Sequence, residues 1–248
     1  METETILSLK ESYIAVETKH NGAHSQKNIS YADMEKMFET KGRHSSAYLP
    51  GEYGLQRFDI KGNREIYLYT EPARKAVTKY YINGDKTVKN DFMVPALAWF
   101  IVLDKNSSGY KYVEAQVFAM KTPVFTGKET LFRMPFSNVY RNNQICWGRN
   151  VVNIPTLKAI QGLSTLFFAS SFNGDLDDRR FQYFDRTFTK GQADRTVHLQ
   201  MEVGEMLKKG LSEQDVLTFV ESKLINCGGD EQQRTVDNIY SSLLSSYM

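Results

Sequence analysis

The run Val94–Leu103 is apolar from end to end and lies within the longest such stretch in the chain. It is about half the ~20 residues that a membrane-spanning helix needs. Ala96–Leu103 is also short for a buried helix, and it reads as a strand buried on both faces. Asp104–Gly109 is a turn, after which Tyr112–Met120 alternates. Val113, Ala115, Val117 and Ala119 fall on one side, Glu114 and Gln116 on the other. That is a half-buried strand, and the two strands together begin an antiparallel meander. Pro123–Gly127 breaks it, and Leu131–Phe136 reads as a last short strand.

The segments on either side are arranged differently. Ser12–Thr18, Glu65–Tyr69 and Ala76–Ile82 read as strands, with Asn83-Gly84 as a hairpin signal because both residues tolerate positive φ. His20–Asn28 reads as a polar loop, and Ser30 with Asp33 as the capping box of a short helix through Phe38. Pro155 suits the first turn of a helix. Leu157, Ile160, Leu163, Leu166 and Phe167 continue it at helical spacing to about Ser170. Asn173–Asp178 ends that helix in a turn. Further on, Ser212 with Asp215 opens a helix over Glu213–Leu224, and Glu231–Tyr247 is a second amphipathic helix. The expected order is a β-rich N-terminal extension over 1–90, a core over 91–190 and a helical tail over 191–248. In the tail, Val216, Val220, Ile239 and Leu243 are the apolar residues to be buried.

Composition excludes several classes of function. A formal net charge of +2 makes no broad field for a phosphate backbone, so nucleic acid is not the expected partner. The chain has only two cysteines, Cys146 and Cys227, and no CxxC pair, so neither a disulfide framework nor a zinc site is expected. His20, His24, His44 and His198 are not at ligand spacing. GxGxxG, Walker, HExxH and GxSxG patterns are all missing, so no cofactor and no metal are expected. Residues Met1–Leu9 do not resemble a secretion signal. The expectation is a cytoplasmic protein, away from membranes, whose thiols stay reduced.

That leaves the stretch around Cys146. Asn138 precedes the cysteine by eight positions, Asn142-Asn143 supplies a turn between them, and Ile145 stands next to it. Asn takes a left-handed position at modest cost. The pattern resembles the active-site loop of ubiquitin-conjugating enzymes, in which a meander leads through His-Pro-Asn and a polar turn to the catalytic cysteine. Pro155 falls where those enzymes start a long helix, and Asn173–Asp178 where that helix ends. A nearer resemblance is to a prokaryotic branch, the ubiquitin-conjugating-enzyme-like family D of the PRTRC system protein B type. It rests on Pro135-Phe136-Ser137-Asn138-Val139-Tyr140, on Cys146-Trp147-Gly148 and on the aromatic segment Phe167–Phe172. The likeness covers about Pro95–Arg180. Phe136-Ser137 replaces His-Pro, so the histidine that helps to shape the loop is absent.

The resemblance implies an α+β fold, an antiparallel meander packed on a helix; the two amphipathic tail stretches, outside it, are expected to pair as a C-terminal helical hairpin. It implies that Cys146 takes the C-terminus of a ubiquitin-like protein as a thioester and passes it to an amine. Asn138 would serve the oxyanion of the tetrahedral intermediate or hold the loop by hydrogen bonds. Asp177 and Asp178 would orient the incoming amine, as would Asp175. An ordinary thiol has a pKa of ~8.5, and Arg149, three positions on, is the basic residue that could help it ionise. The implied partners are a ThiF-like activating protein and a ubiquitin-like protein, encoded together in mobile-element cassettes. The lost His-Pro pair leaves a second reading open: an inactive scaffold that only binds a ubiquitin-like protein.

Overall fold

A computed structural model describes residues 3–10, 12–20, 23–31, 43–49, 53–82, 86–124, 126–140, 142–148, 150, 152–172, 195–224 and 234–248. The expected helix from Ser30 to Phe38 falls almost wholly outside these residues, as do the turn at Asn173–Asp178 and Cys227.

Strands β1 (Thr3–Leu9), β2 (Tyr13–His20) and β3 (Ala23–Ser30) form an antiparallel sheet in chain order. The expected loop at His20–Asn28 is therefore mostly strand, with Val16 paired to Lys27 and Thr18 to Ser25. Ser25–Asn28 are exposed, so their polarity marks a solvated surface and not a loop.

The next strands are β4 (Arg43–Ser45), β5 (Gly54–Lys61), β6 (Arg64–Glu71), β7 (Arg74–Ile82), β8 (Lys86–Val94), β9 (Ala96–Asn106) and β10 (Gly109–Met120). An antiparallel sheet runs in the order β10-β9-β6-β5-β4. The hairpin β7–β8 leaves it between β6 and β9. It makes a separate sheet with β11 (Ser171–Phe172), which lies parallel to β7. Pro95 separates β8 from β9. Without an N–H it cannot continue a ladder, and the chain changes sheets there. The expected last strand at Leu131–Phe136 reduces to single bridges, Thr130 with Thr235 and Ala119 with Phe132.

Four helices are described: α1 (Gly162–Ala169), which extends a 3-10 turn over Leu157–Gln161, α2 (Arg195–Lys208), α3 (Glu213–Ser222) and α4 (Val236–Tyr247). None is long and apolar enough to cross a membrane. Ser212 caps α3 by accepting from Asp215 N, and Thr235 and Asn238 form a reciprocal capping box on α4.

The apolar run is explained by its place in the middle of the five-stranded sheet. Leu97, Trp99, Ile101 and Leu103 of β9 face a core shared with Leu163 and Phe167 of α1 and Val203 of α2. Ala96, Ala98, Phe100 and Val102 face a second core closed by Ile239, Tyr240 and Leu243 of α4. Each large side chain buried in this way contributes roughly 1.5–3 kcal/mol. A β-bulge between Tyr112 and Glu114 shifts the register of β10. Ala115, Val117 and Ala119 consequently share the first core, while Val113 packs against the second.

The tail helices bury the stripes that periodicity assigns them, but they do not share a core. Val216 and Val220 enter the first core, where α3 lies against α2 and β8. Ile239 and Leu243 lie in the second, on the opposite face of the sheet. The helix that pairs with α3 is α2. An amphipathic stripe says that a face is covered, not by what.

Candidate active site

Strand β10 has β9 on one side only. Its other edge is met by the chain returning after Lys121. Ala119 and Phe132 exchange both backbone bonds at 2.9 Å, and Val117 N donates to Asn143 O at 3.0 Å. Ile145 N donates to Ala115 O at 2.9 Å, and Tyr110 N to Ile154 O at 3.2 Å. The segment that holds Cys146 is thereby pinned to a rigid strand.

Within it, residues 138–140 and 142–146 pair as the two sides of a small hairpin. Val139 pairs with Ile145, Tyr140 N donates to Gln144 O at 2.8 Å, and Cys146 N donates to Asn138 O at 2.9 Å. Asn143 N closes the turn on Tyr140 O at 2.8 Å, and Asn143 takes a φ of 67°. This is the left-handed turn expected of Asn142-Asn143.

Side chains alternate across such a hairpin. Val139 and Ile145 are buried and belong to the first core. Asn138, Tyr140, Gln144 and Cys146 therefore come together on the outward face. Cys146 is a free, partly exposed thiol, and Tyr140 keeps 45% of its surface exposed. Tyr140 and Cys146 are diagonal neighbours on that face, within reach of a long side chain. The phenol O–H donates to Cys146 Sγ at 3.4 Å. That hydrogen bond, and then the charge of the sulfur, raises the Tyr140 phenol above its ordinary value of 10.0, so it stays protonated as a donor.

The base of the hairpin is held from behind. Phe136, at the position of the missing histidine, is fully buried among aromatic rings. Its centroid lies 4.9 Å from Phe172, 5.2 Å from Phe92, 5.3 Å from Phe168 and 6.1 Å from Phe167. The ring pair with Phe172 is tilted and the other three meet edge-on, and aromatic pairs are each worth ~0.5–1.5 kcal/mol beyond the area they bury. Apolar packing thus fastens the loop where the resemblance has a polar anchor, which gives the Phe167–Phe172 segment its physical role. Gln200, buried on α2, donates to Pro135 O at 3.1 Å. The Asn138 amide donates to Ser171 O at 3.1 Å. Trp147 packs edge-on against Tyr112 and Phe167, and its indole N–H donates to Tyr112 Oη at 2.8 Å. Burial pushes the Tyr112 phenol up to about 12 in spite of that donated bond.

Two of the sequence candidates, Cys146 and Asn138, therefore meet across one ladder step. Asp177 and Asp178 lie outside the described residues, as do Asp175 and Arg149. Tyr140 is a residue that the sequence does not single out. Its signal is the turn itself, since a hairpin centred on Asn142 sets Tyr140 diagonal to Cys146. Among the described residues no group of three or more His, Cys, Asp or Glu could hold a metal ion.

A family model described as prokaryotic E2 family D matches residues 32–225, a span that includes Asn138, Tyr140 and Cys146. No curated protein and no solved structure matches the chain.

Proposed function

The chain belongs to prokaryotic E2 family D, and from that premise we propose that it carries a ubiquitin-like modifier as a thioester on Cys146 and passes it to an amine. Membership gives the coarser statement, a role related to ubiquitin-like conjugation; the thioester step is our reading. The observation that supports it best is a free, partly exposed thiol on the outward face of a hairpin whose other face is fixed in the core.

In this mechanism the Cys146 thiolate adds to the carbonyl carbon of a thioester held by an activating enzyme. The carbonyl pair moves onto oxygen and returns, and the donor's thiolate leaves. An amine nitrogen later adds to the same carbon and expels the Cys146 thiolate. Asn138, with its amide engaged by Ser171 O, acts in this reading by holding the hairpin. Asp177 and Asp178 are the carboxylates assigned to the approaching amine. A ThiF-like activating protein and a ubiquitin-like protein are the partners this chemistry calls for.

The test incubates the full chain with an activating enzyme, a ubiquitin-like modifier and ATP, and reads non-reducing gels. Wild type and Cys227→Ser should form an adduct that a reductant removes. Cys146→Ser should form none, or an ester that the reductant leaves intact. An adduct that survives in Cys146→Ala would overturn the assignment. A wild type that binds the modifier without forming an adduct would establish the scaffold reading instead.

A further inference from the structure

We propose that the Tyr140 hydroxyl is the oxyanion donor for acyl transfer at Cys146. The inference rests on the thioester reading above and adds a residue to it. The phenol is already in hydrogen-bond contact with the reacting sulfur, at 3.4 Å. Once Sγ is bonded to a carbonyl carbon, the carbonyl oxygen lies one bond beyond that carbon, and a small side-chain rotation brings the phenol O–H to it. The Asn138 amide, on the same face, is directed to Ser171 O. Tyr140 is also too exposed to be a core residue, at 45%. Its backbone, by contrast, is fixed at both its N–H and its carbonyl by Gln144 and Asn143. A held backbone with an exposed phenol suits a donor that must follow charge from sulfur to oxygen.

The step balances without a proton passing through Tyr140. Cys146 first loses its thiol proton to water. Its thiolate, accepting from the phenol, adds to the carbonyl carbon of a thioester, and the carbonyl pair becomes an oxyanion. The phenol then donates to that oxyanion. When the pair returns, the departing thiolate takes a proton from water. In the amine step the oxyanion forms on the same oxygen, Cys146 leaves as thiolate, and the extra proton on nitrogen goes to water. The raised pKa of Tyr140 keeps its proton in place through both steps.

The experiment needs no cognate partner. Full-length chain carrying Cys227→Ser is treated with the benzyl thioester of acetyl-Gly-Gly, and acylation of Cys146 is followed by intact mass. Iodoacetamide is used in parallel, because alkylation consumes the same thiolate without forming an oxyanion. Tyr140→Phe, which keeps the ring, should slow acylation roughly 10- to 100-fold while alkylation changes by less than about 3-fold. Equal losses in both reactions would show that the phenol acts on the thiol or the loop, and would overturn the proposal. So would an unchanged acylation rate. If wild type accepts the peptide thioester but no modifier from an activating enzyme, the proposed function fails while the role of Tyr140 stands.

Discussion

The Asn138 side-chain amide donates to the backbone carbonyl of Ser171 at 3.1 Å, fastening the first residue of the Cys146 hairpin to the short strand beside β7. Asn138→Ala should cost ~0.5–1.5 kcal/mol by urea unfolding. Asn138→Asp should not recover the loss, because a carboxylate has no hydrogen to give the carbonyl. A fully stable Asn138→Asp would show that the bond contributes nothing.

Asn143 sits at a φ of 67° inside the turn and is nearly fully buried. Alanine there should cost ~1–2 kcal/mol, since its Cβ disfavours the left-handed region. Asn143→Gly should be the milder of the two substitutions. Chemical denaturation of both variants checks the order, and a reversed order would mean that lost side-chain contacts outweigh backbone strain.

Gly127 has a φ of 82°, and a Cβ there would collide with the Tyr48 hydroxyl and the Asp237 carboxylate. Those two groups are themselves hydrogen-bonded at 2.6 Å, and Asp237 N donates to Gly127 O at 2.8 Å. Gly127→Ala should therefore unseat the first turn of α4, at a cost of ~1–3 kcal/mol. Hydrogen exchange should quicken in Val236–Tyr247 and leave β9 protected. Uniform loss of protection in both would argue against a local effect.

Val220 and Ile239 lie in different cores, on opposite faces of the sheet. The stability losses of Val220→Ala and Ile239→Val should add in the double variant to within ~0.3–0.5 kcal/mol. A tail hairpin packed on itself would instead give a coupling well above that, so urea titration of the three variants separates the two arrangements.

Burial raises the Glu71 carboxyl above its ordinary value of 4.5, while the Ser164 hydroxyl, which donates at 2.7 Å, and then Arg74 pull it down. The folded state thus holds this proton more tightly than the unfolded chain does. Its contribution to stability is complete below the unfolded value and is lost as pH rises through the raised folded one. Glu71→Gln removes the titration and keeps an acceptor for Ser164. Between pH 4.5 and neutrality, the unfolding free energy of Glu71→Gln should fall less than that of wild type. Parallel curves for the two proteins would contradict this.

Several of these features are legible in the amino-acid sequence alone. Ala96–Leu103 betrays a strand with both faces covered, because hydrophobicity without period means burial on both sides. Ser212 with Asp215 marks a helix start, because capping is a local interaction. The spacing of Asn138 and Cys146 around Asn142-Asn143 marks the turn, for the same reason. What stays hidden depends on register or on distant partners. Val113 looks equivalent to Ala115 until a bulge separates them, and Ser25–Asn28 looks like a loop because a solvated strand has no apolar face. The contact from Tyr140 to Cys146 exists only once Val139 is paired with Ile145. The position of Phe136 among Phe92, Phe167, Phe168 and Phe172 joins segments of sequence that carry no mark of one another.

The hairpin that displays the thiol also covers outer backbone groups of β10, at Ala115 and Val117. An uncovered strand of that length, carrying Val113, Ala115, Val117 and Phe118, is a template for another chain to extend. The reactive loop is therefore also part of the sheet's defence against self-association at this edge. Substitutions that loosen it, whether to admit a bulkier acyl group or to free the sulfur, should carry a colloidal penalty. Light scattering of such variants should rise at concentrations where Cys146 still reacts, so that solubility sets the limit on how far this site can be remodelled.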